Sequence, residues 1–88
     1  MANRKYLNPA YGVIVRFGGP EGKLSRGIGA VAEITGRNPS WVYRWMLPKE
    51  RGGTGGLIPS KEQKKLFDHA RKKRMPLEPE DFFSARAA

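Results

Sequence analysis

The stretch NPSWVYRW, Asn38 to Trp45, concentrates side chains that hydrogen-bond and stack. Arg44 carries a planar guanidinium fork, whose geometry meets O6 and N7 of a guanine together. Asn38 and Ser40 suit phosphate or base-edge hydrogen bonds, and Tyr43 offers a hydroxyl to a phosphate. Trp41 has two uses, packing against the first helix or touching a sugar and a thymine methyl. Packing is the preferred expectation. With Arg44, these four make up the base-contact candidates. Arg37, Lys49, Arg51, Lys23 and Arg26 are the phosphate-contact candidates, each weighed against the commoner fate of a solvated charge.

Catalytic chemistry has no comparable concentration. His69 is the single histidine and the chain has no cysteine, so disulfides and thiolate metal sites drop out together. Asp68 sits beside His69 but faces another helical direction, which leaves a serine nucleophile without a relay. The acidic residues are scattered, with no facing pair. GGPEGKL, Gly18 to Leu24, is a phosphate loop only superficially. Its glycines are too close, Leu24 stands where a hydroxyl is needed, and no strand precedes it. The expectation is no enzyme, no metal and no cofactor.

The elements that must position Asn38 to Trp45 are two short helices joined by a tight turn, within Gly29 to Trp45. Val31, Ile34, Val42 and Trp45 give apolar positions at roughly helical spacing. Gly36 falls where the first of the two must stop in a left-handed conformation, and Ala32, four residues earlier, allows close helix crossing. Asn38 caps the next helix and Pro39 suits its first turn. Small residue, glycine, branched apolar, apolar is the helix-turn-helix pattern.

Around this pair, Asn8-Pro9 opens a first helix, with Ala10, Val13, Ile14 and Phe17 on its buried side and Gly18-Gly19 at its end. The role of Pro20 to Ile28 stays open. Leu24, Ile28 and Val31 have helical spacing, yet Gly27 and Gly29 count against an early start to the second helix. Gly52 to Gly56 reads as a flexible connector. Ser60, with Gln63 three residues on, forms a capping box for a helix with a Leu66, Phe67 and Ala70 stripe. Lys61, Lys64 and Lys65 make its wet face, and Arg71 to Arg74 crowd its C-terminal end, where the dipole favours cations. Pro76 stops it, and a short turn begins near Pro79.

The run AEITGRNPSWVYRW, Ala32 to Trp45, resembles the Cro/repressor type of helix-turn-helix. Ile58-Pro59 before the fourth helix and Leu77, Pro79, Asp81 and Phe82 at the end are similar to small phage-type Cro-like regulators. The similarity spans roughly Asn8 to Phe83, interrupted by Pro20 to Ile28. Thr35 and Arg37 depart from the pattern, standing where apolar residues are commoner. The resemblance implies an all-α bundle of four to five helices, lambda-repressor/Cro-like, that binds double-stranded DNA.

Composition agrees with a polyanion partner. Seventeen basic residues against eight acidic ones give a net charge of +9 over 88 residues, a field that attracts nucleic acid. The length suits one small domain. Its apolar runs fall far short of the ~20 residues of a membrane helix, and no signal segment opens the chain. The expected location is the cytoplasm, in a bacterial or phage-derived, nucleoid-associated setting.

The expected organisation is a flexible arm over 1–7, carrying Arg4 and Lys5, a DNA-binding domain over 8–83 and a disordered tail over 84–88. The function expected is a sequence-specific transcriptional regulator that binds two half-sites as a homodimer, with no membrane partner. Leu77, Phe82 and Phe83 are the expected source of the pairing surface, although covering their own core is their simpler use. The rivals are a protein-interaction module, antitoxin or phage-type inhibitor, gripping an acidic partner, and a nucleoid DNA binder of low sequence specificity.

Overall fold

A computed structural model describes residues 8–83. Asn8 starts the first helix, α1, Pro9–Arg16. Its backbone is extended (φ −143°), and its Oδ1 accepts from the Tyr11 N–H at 2.9 Å. The same amide donates through Nδ2 to the Met46 carbonyl at 3.1 Å, so one cap also ties α1 to a distant turn. Three more helices follow: α2, Leu24–Thr35, α3, Pro39–Arg44, and α4, Ser60–Lys72. Short 3-10 turns occupy Lys49–Arg51 and Pro79–Phe82. Among the described residues there is no strand, and the fold is all-α.

Helix α2 is the centre of the arrangement, packing on α1, α3 and α4, while the Pro79–Phe82 turn packs on α1. Ala10, Val13, Ile14 and Phe17 of the first helical segment meet Val31 and Ala32 of α2 in one core. Val42, Trp45, Ile58, Leu66 and Phe82 close it from the other elements. No described helix is long and apolar enough to cross a membrane.

The open question at Pro20 to Ile28 resolves into a tight turn followed by the first turn of α2, which begins at Leu24. Gly27 and Gly29 do not prevent this early start, because tertiary packing outweighs helix propensity. A β-carbon on Gly27 would lie 2.2 Å from the Ile14 carbonyl oxygen. The missing side chain therefore sets how closely α1 and α2 approach at Gly27. Gly29, two residues on, is exposed and has open space around it.

Three further expectations need correction. Gly52 to Gly56 is not a loose connector but a hydrogen-bonded turn. Gly53 N–H donates to the Pro48 carbonyl at 3.1 Å, Gly55 N–H to the Leu47 carbonyl at 2.9 Å, and the Gly56 carbonyl accepts from the Ala10 N–H at 2.8 Å. Ser60 does not cap α4. Pro59 holds that position without a side-chain cap, and Gln63 donates to the Ile58 carbonyl at 2.7 Å. Leu77 and Phe82 are buried in the core, so only Phe83, 68% exposed, remains of the expected pairing surface. The arm and tail expected over 1–7 and 84–88 lie outside the described residues.

An ion pair fastens the chain end: Arg16 Nη1 lies 2.6 Å from Asp81 Oδ2, the latter carboxylate being almost fully buried. Asp81 Oδ2 also accepts from the Glu78 N–H at 2.8 Å.

The two α2 glycines separate by substitution. Gly27→Ala should cost about 1–3 kcal/mol through overpacking against Ile14. Gly29→Ala should add about 0.5–1 kcal/mol by reducing the freedom of the unfolded chain. Urea unfolding midpoints measure both, and equal midpoints for the two variants would contradict the crossing at Gly27.

Candidate nucleic-acid interface

A helix of six residues has little surface with which to anchor itself. Within α3 only Val42 is buried. The helix is instead held at its two ends. At the N-terminal end, Gly36 adopts the left-handed conformation (φ 72°, ψ 20°), and the Arg37 N–H closes on the Ala32 carbonyl at 3.0 Å. A β-carbon disfavours that backbone region, so the glycine is required there for the reversal. Asn38 then caps α3, its Oδ1 accepting from the Ser40 N–H at 2.9 Å and from the Ser40 hydroxyl at 2.7 Å. Pro39 follows in the first turn.

At the C-terminal end the glycine-rich turn supplies donors. The Arg44 carbonyl accepts from the Leu47 N–H at 3.1 Å and from the Thr54 N–H at 3.2 Å. The Thr54 hydroxyl donates to the Trp45 carbonyl at 3.1 Å, and the Asn8 amide takes the Met46 carbonyl. These bonds satisfy carbonyls that a helix end leaves without partners. Trp45 and Met46 turn into the core at 2% exposure each.

What remains outside is a continuous exposed face. Pro39, Ser40, Trp41, Tyr43 and Arg44 are all exposed. The expectation that Trp41 packs against the first helix is therefore overturned: the indole is 52% exposed. Position 41 lies one turn before Trp45, on the side that a regular i, i+4 repeat would turn inward. Helix α3 ends at Arg44, however, and its one buried residue is Val42. Arg44, three residues on, places its Cζ 5.4 Å from the Trp41 ring centroid, a cation–π arrangement.

Arg37 is drawn into the fold on one side. Its Nε donates to Glu62 Oε2 at 3.0 Å, and the Glu62 side chain is only 3% exposed against 49% for Arg37. Helix α4 reaches the same turn a second time through Lys65, whose Nζ donates to the Thr35 carbonyl at 3.2 Å. The Thr35 hydroxyl, buried where an apolar residue is commoner, donates to the Val31 carbonyl at 2.8 Å. Its polarity is thus satisfied within α2.

Sequence reasoning missed the role of Glu62. The signal was available: Glu62, Leu66 and Ala70 recur every four residues, which puts the carboxylate on the buried stripe of α4.

Lys49 and Arg51 are exposed on the 3-10 turn that leaves α3, and the Thr54 N–H bond to the Arg44 carbonyl ties the loop after that turn back to the helix end. The structure thus gathers Arg37, Asn38, Ser40, Trp41, Tyr43, Arg44, Lys49 and Arg51 around α3. It does not bring Lys23 and Arg26 there. Both sit at the opposite end of α2, whose length is roughly 18 Å at 1.5 Å per residue. Lys23 pairs with Glu21 at 3.4 Å with both side chains exposed, and the Arg26 guanidinium lies over Gly19. His69 is half-buried with its ring 6.2 Å from that of Phe17, and no described cluster of three His, Cys, Asp or Glu could hold a metal.

No family model, no curated protein and no solved structure matches this chain.

The Arg37–Glu62 pair makes a stability prediction. Arg37→Ala should cost about 1–2 kcal/mol, since it leaves a buried carboxylate without its charged donor. Adding Glu62→Gln to that variant should recover part of the loss. A double-mutant cycle read by urea unfolding measures the coupling, and strictly additive losses would show that there is none.

Proposed function

We propose that this chain is a sequence-specific duplex-DNA-binding regulator, a helix-turn-helix protein of Cro/repressor type. In this reading α2 and α3 form the motif, and α3 enters the major groove. The observation that carries the reading is the state of α3: it is pinned at both ends while Ser40, Trp41, Tyr43 and Arg44 face outward. A major groove about 12 Å wide admits such a helix, and those side-chain types match base edges, thymine methyls and phosphates.

Charge supports the same reading. From Gly36 to Lys49 the charged residues are Arg37, Arg44 and Lys49, with no acidic residue among them. Arg44 is the base reader. Asn38 and Ser40, already engaged with each other, suit a phosphate near the start of α3. Arg37, Lys49 and Arg51 flank the helix as phosphate contacts, while Lys23 and Arg26 serve the backbone further along the duplex. A six-residue helix covers only a few base pairs, so two copies on a repeated site supply the contact that a tight specific complex needs.

Selection from random duplexes by the intact chain tests the reading. A reproducible palindrome supports a dimeric regulator, and a reproducible single site supports a monomeric one. Enrichment without a motif would favour a low-specificity nucleoid binder, and no retention would favour a module for an acidic protein partner. On the selected duplex, Arg44→Ala should lose about 1–3 kcal/mol and relax one base position. Lys49→Ala or Arg51→Ala should weaken all duplexes alike and lower the salt slope by about one. Filter binding across a salt series separates the two behaviours.

A further inference from the structure

We infer that Trp41 and Arg44 act as one unit that reads two adjacent base pairs, a guanine through Arg44 and a neighbouring thymine methyl through Trp41. The inference rests on α3 being the reading helix and adds a specificity-determining residue to it. Two observations carry it. Trp41 is 52% exposed on a helix whose one buried residue is Val42, so about half of it is open to a partner. The guanidinium of Arg44 stands 5.4 Å from the centre of that indole, so the ring restricts where the fork goes. A stacked guanidinium keeps its in-plane N–H donors available at its edge while losing much of its rotamer freedom.

Spacing supports the pairing of targets. Residues three apart on a helix differ by about 4.5 Å in rise, close to the ~3.4 Å step between stacked base pairs. A cation that reads O6 and N7 of guanine therefore has an apolar surface at the next pair. The apolar feature that the major groove offers there is the C5-methyl of thymine. Tyr43, on the same helix, lies between them in sequence and is not needed for this readout.

Base analogues and a spectroscopic signal test the unit on the duplex that the intact chain selects from a random library. The guanine is the position that Arg44→Ala relaxes. Replacing it by 7-deazaguanine should weaken the intact chain about tenfold, through the loss of one acceptor of a charged bidentate pair. Replacing the adjacent thymine by uracil should weaken it about fourfold, the value of one buried methyl.

Trp41→Ala should become insensitive to uracil and lose most of the guanine preference, with its melting temperature close to that of the parent. Trp41→Phe should restore most of the guanine preference, because a ring again supports the guanidinium. In the intact chain, acrylamide quenching of the exposed tryptophan should fall when the selected duplex is bound. Trp45, buried, contributes little to that change. A Trp41→Ala protein with the same two analogue penalties as the parent would overturn the inference and leave the DNA-reading helix standing. So would a selected motif with no thymine beside that guanine. An intact chain that selects no motif overturns both the inference and the reading beneath it.

Discussion

Helix α3 has one buried side chain, and most of the surrounding architecture answers that constraint. Burial of Val42 alone contributes about 1.5–3 kcal/mol, too little to fix the orientation of a helix against the ordering cost of six residues. Orientation comes from the ends. Gly36 sets the reversal, Asn38 satisfies the first turn, and Thr54 with the Asn8 amide takes carbonyls at and beyond the last. The consequence is an exposed face whose side chains need not pack.

The same logic places the buried acids. Glu62 and Asp81 are each withdrawn from solvent, and each has an arginine from a different element within reach. A buried carboxylate without a partner is strongly disfavoured, so these contacts tie α4 to the α2–α3 turn and the chain end to α1. They act as registers more than as sources of net stability. Lys64–Asp68 and Lys23–Glu21, both solvent-exposed pairs, add little by comparison. Glu62 is thereby hidden beside the α2–α3 turn and Asp81 against α1.

Much of this was legible in the sequence because it depends on residues with few alternative uses. Asn8-Pro9 and Asn38-Pro39 each mark a helix start, Gly36 a left-handed stop, and Val42 with Trp45 the inner face. What was not legible depended on contacts between elements. Gly27 reads locally as a helix breaker, and only the Ile14 carbonyl beside it shows that the missing side chain is the point. The glycines after Leu47 read as slack, yet the Gly53 and Gly55 N–H groups are taken up by the Pro48 and Leu47 carbonyls and the Gly56 carbonyl by α1. Trp41 was misplaced for a related reason. A large aromatic residue is ordinarily assigned to a core, and its i, i+4 spacing to Trp45 points the same way. Only the structure shows that α3 ends at Arg44 with Val42 as its one buried residue.

The exposure of Trp41 bears on which kind of partner α3 suits. Tryptophan, tyrosine and arginine together also form the usual anchors of protein interfaces, so residue type alone does not separate a protein partner from a duplex. Charge points to an anionic partner, which the proposed function takes to be duplex DNA: the rim of α3 carries Arg37, Lys49 and Arg51, with Glu50 the single acid among them. The exposed face of α3 is the surface that the proposed major-groove contact would use. An array of phosphates on both sides of that groove matches cations placed before and after the helix. Arg37 is held by Glu62, and the backbone on which Lys49 and Arg51 sit is tied back by the Gly53 and Gly55 bonds to Pro48 and Leu47. The backbone that presents these cations is therefore ordered before any partner arrives. Such preorganisation lowers the entropy lost on binding, whichever anionic partner is bound.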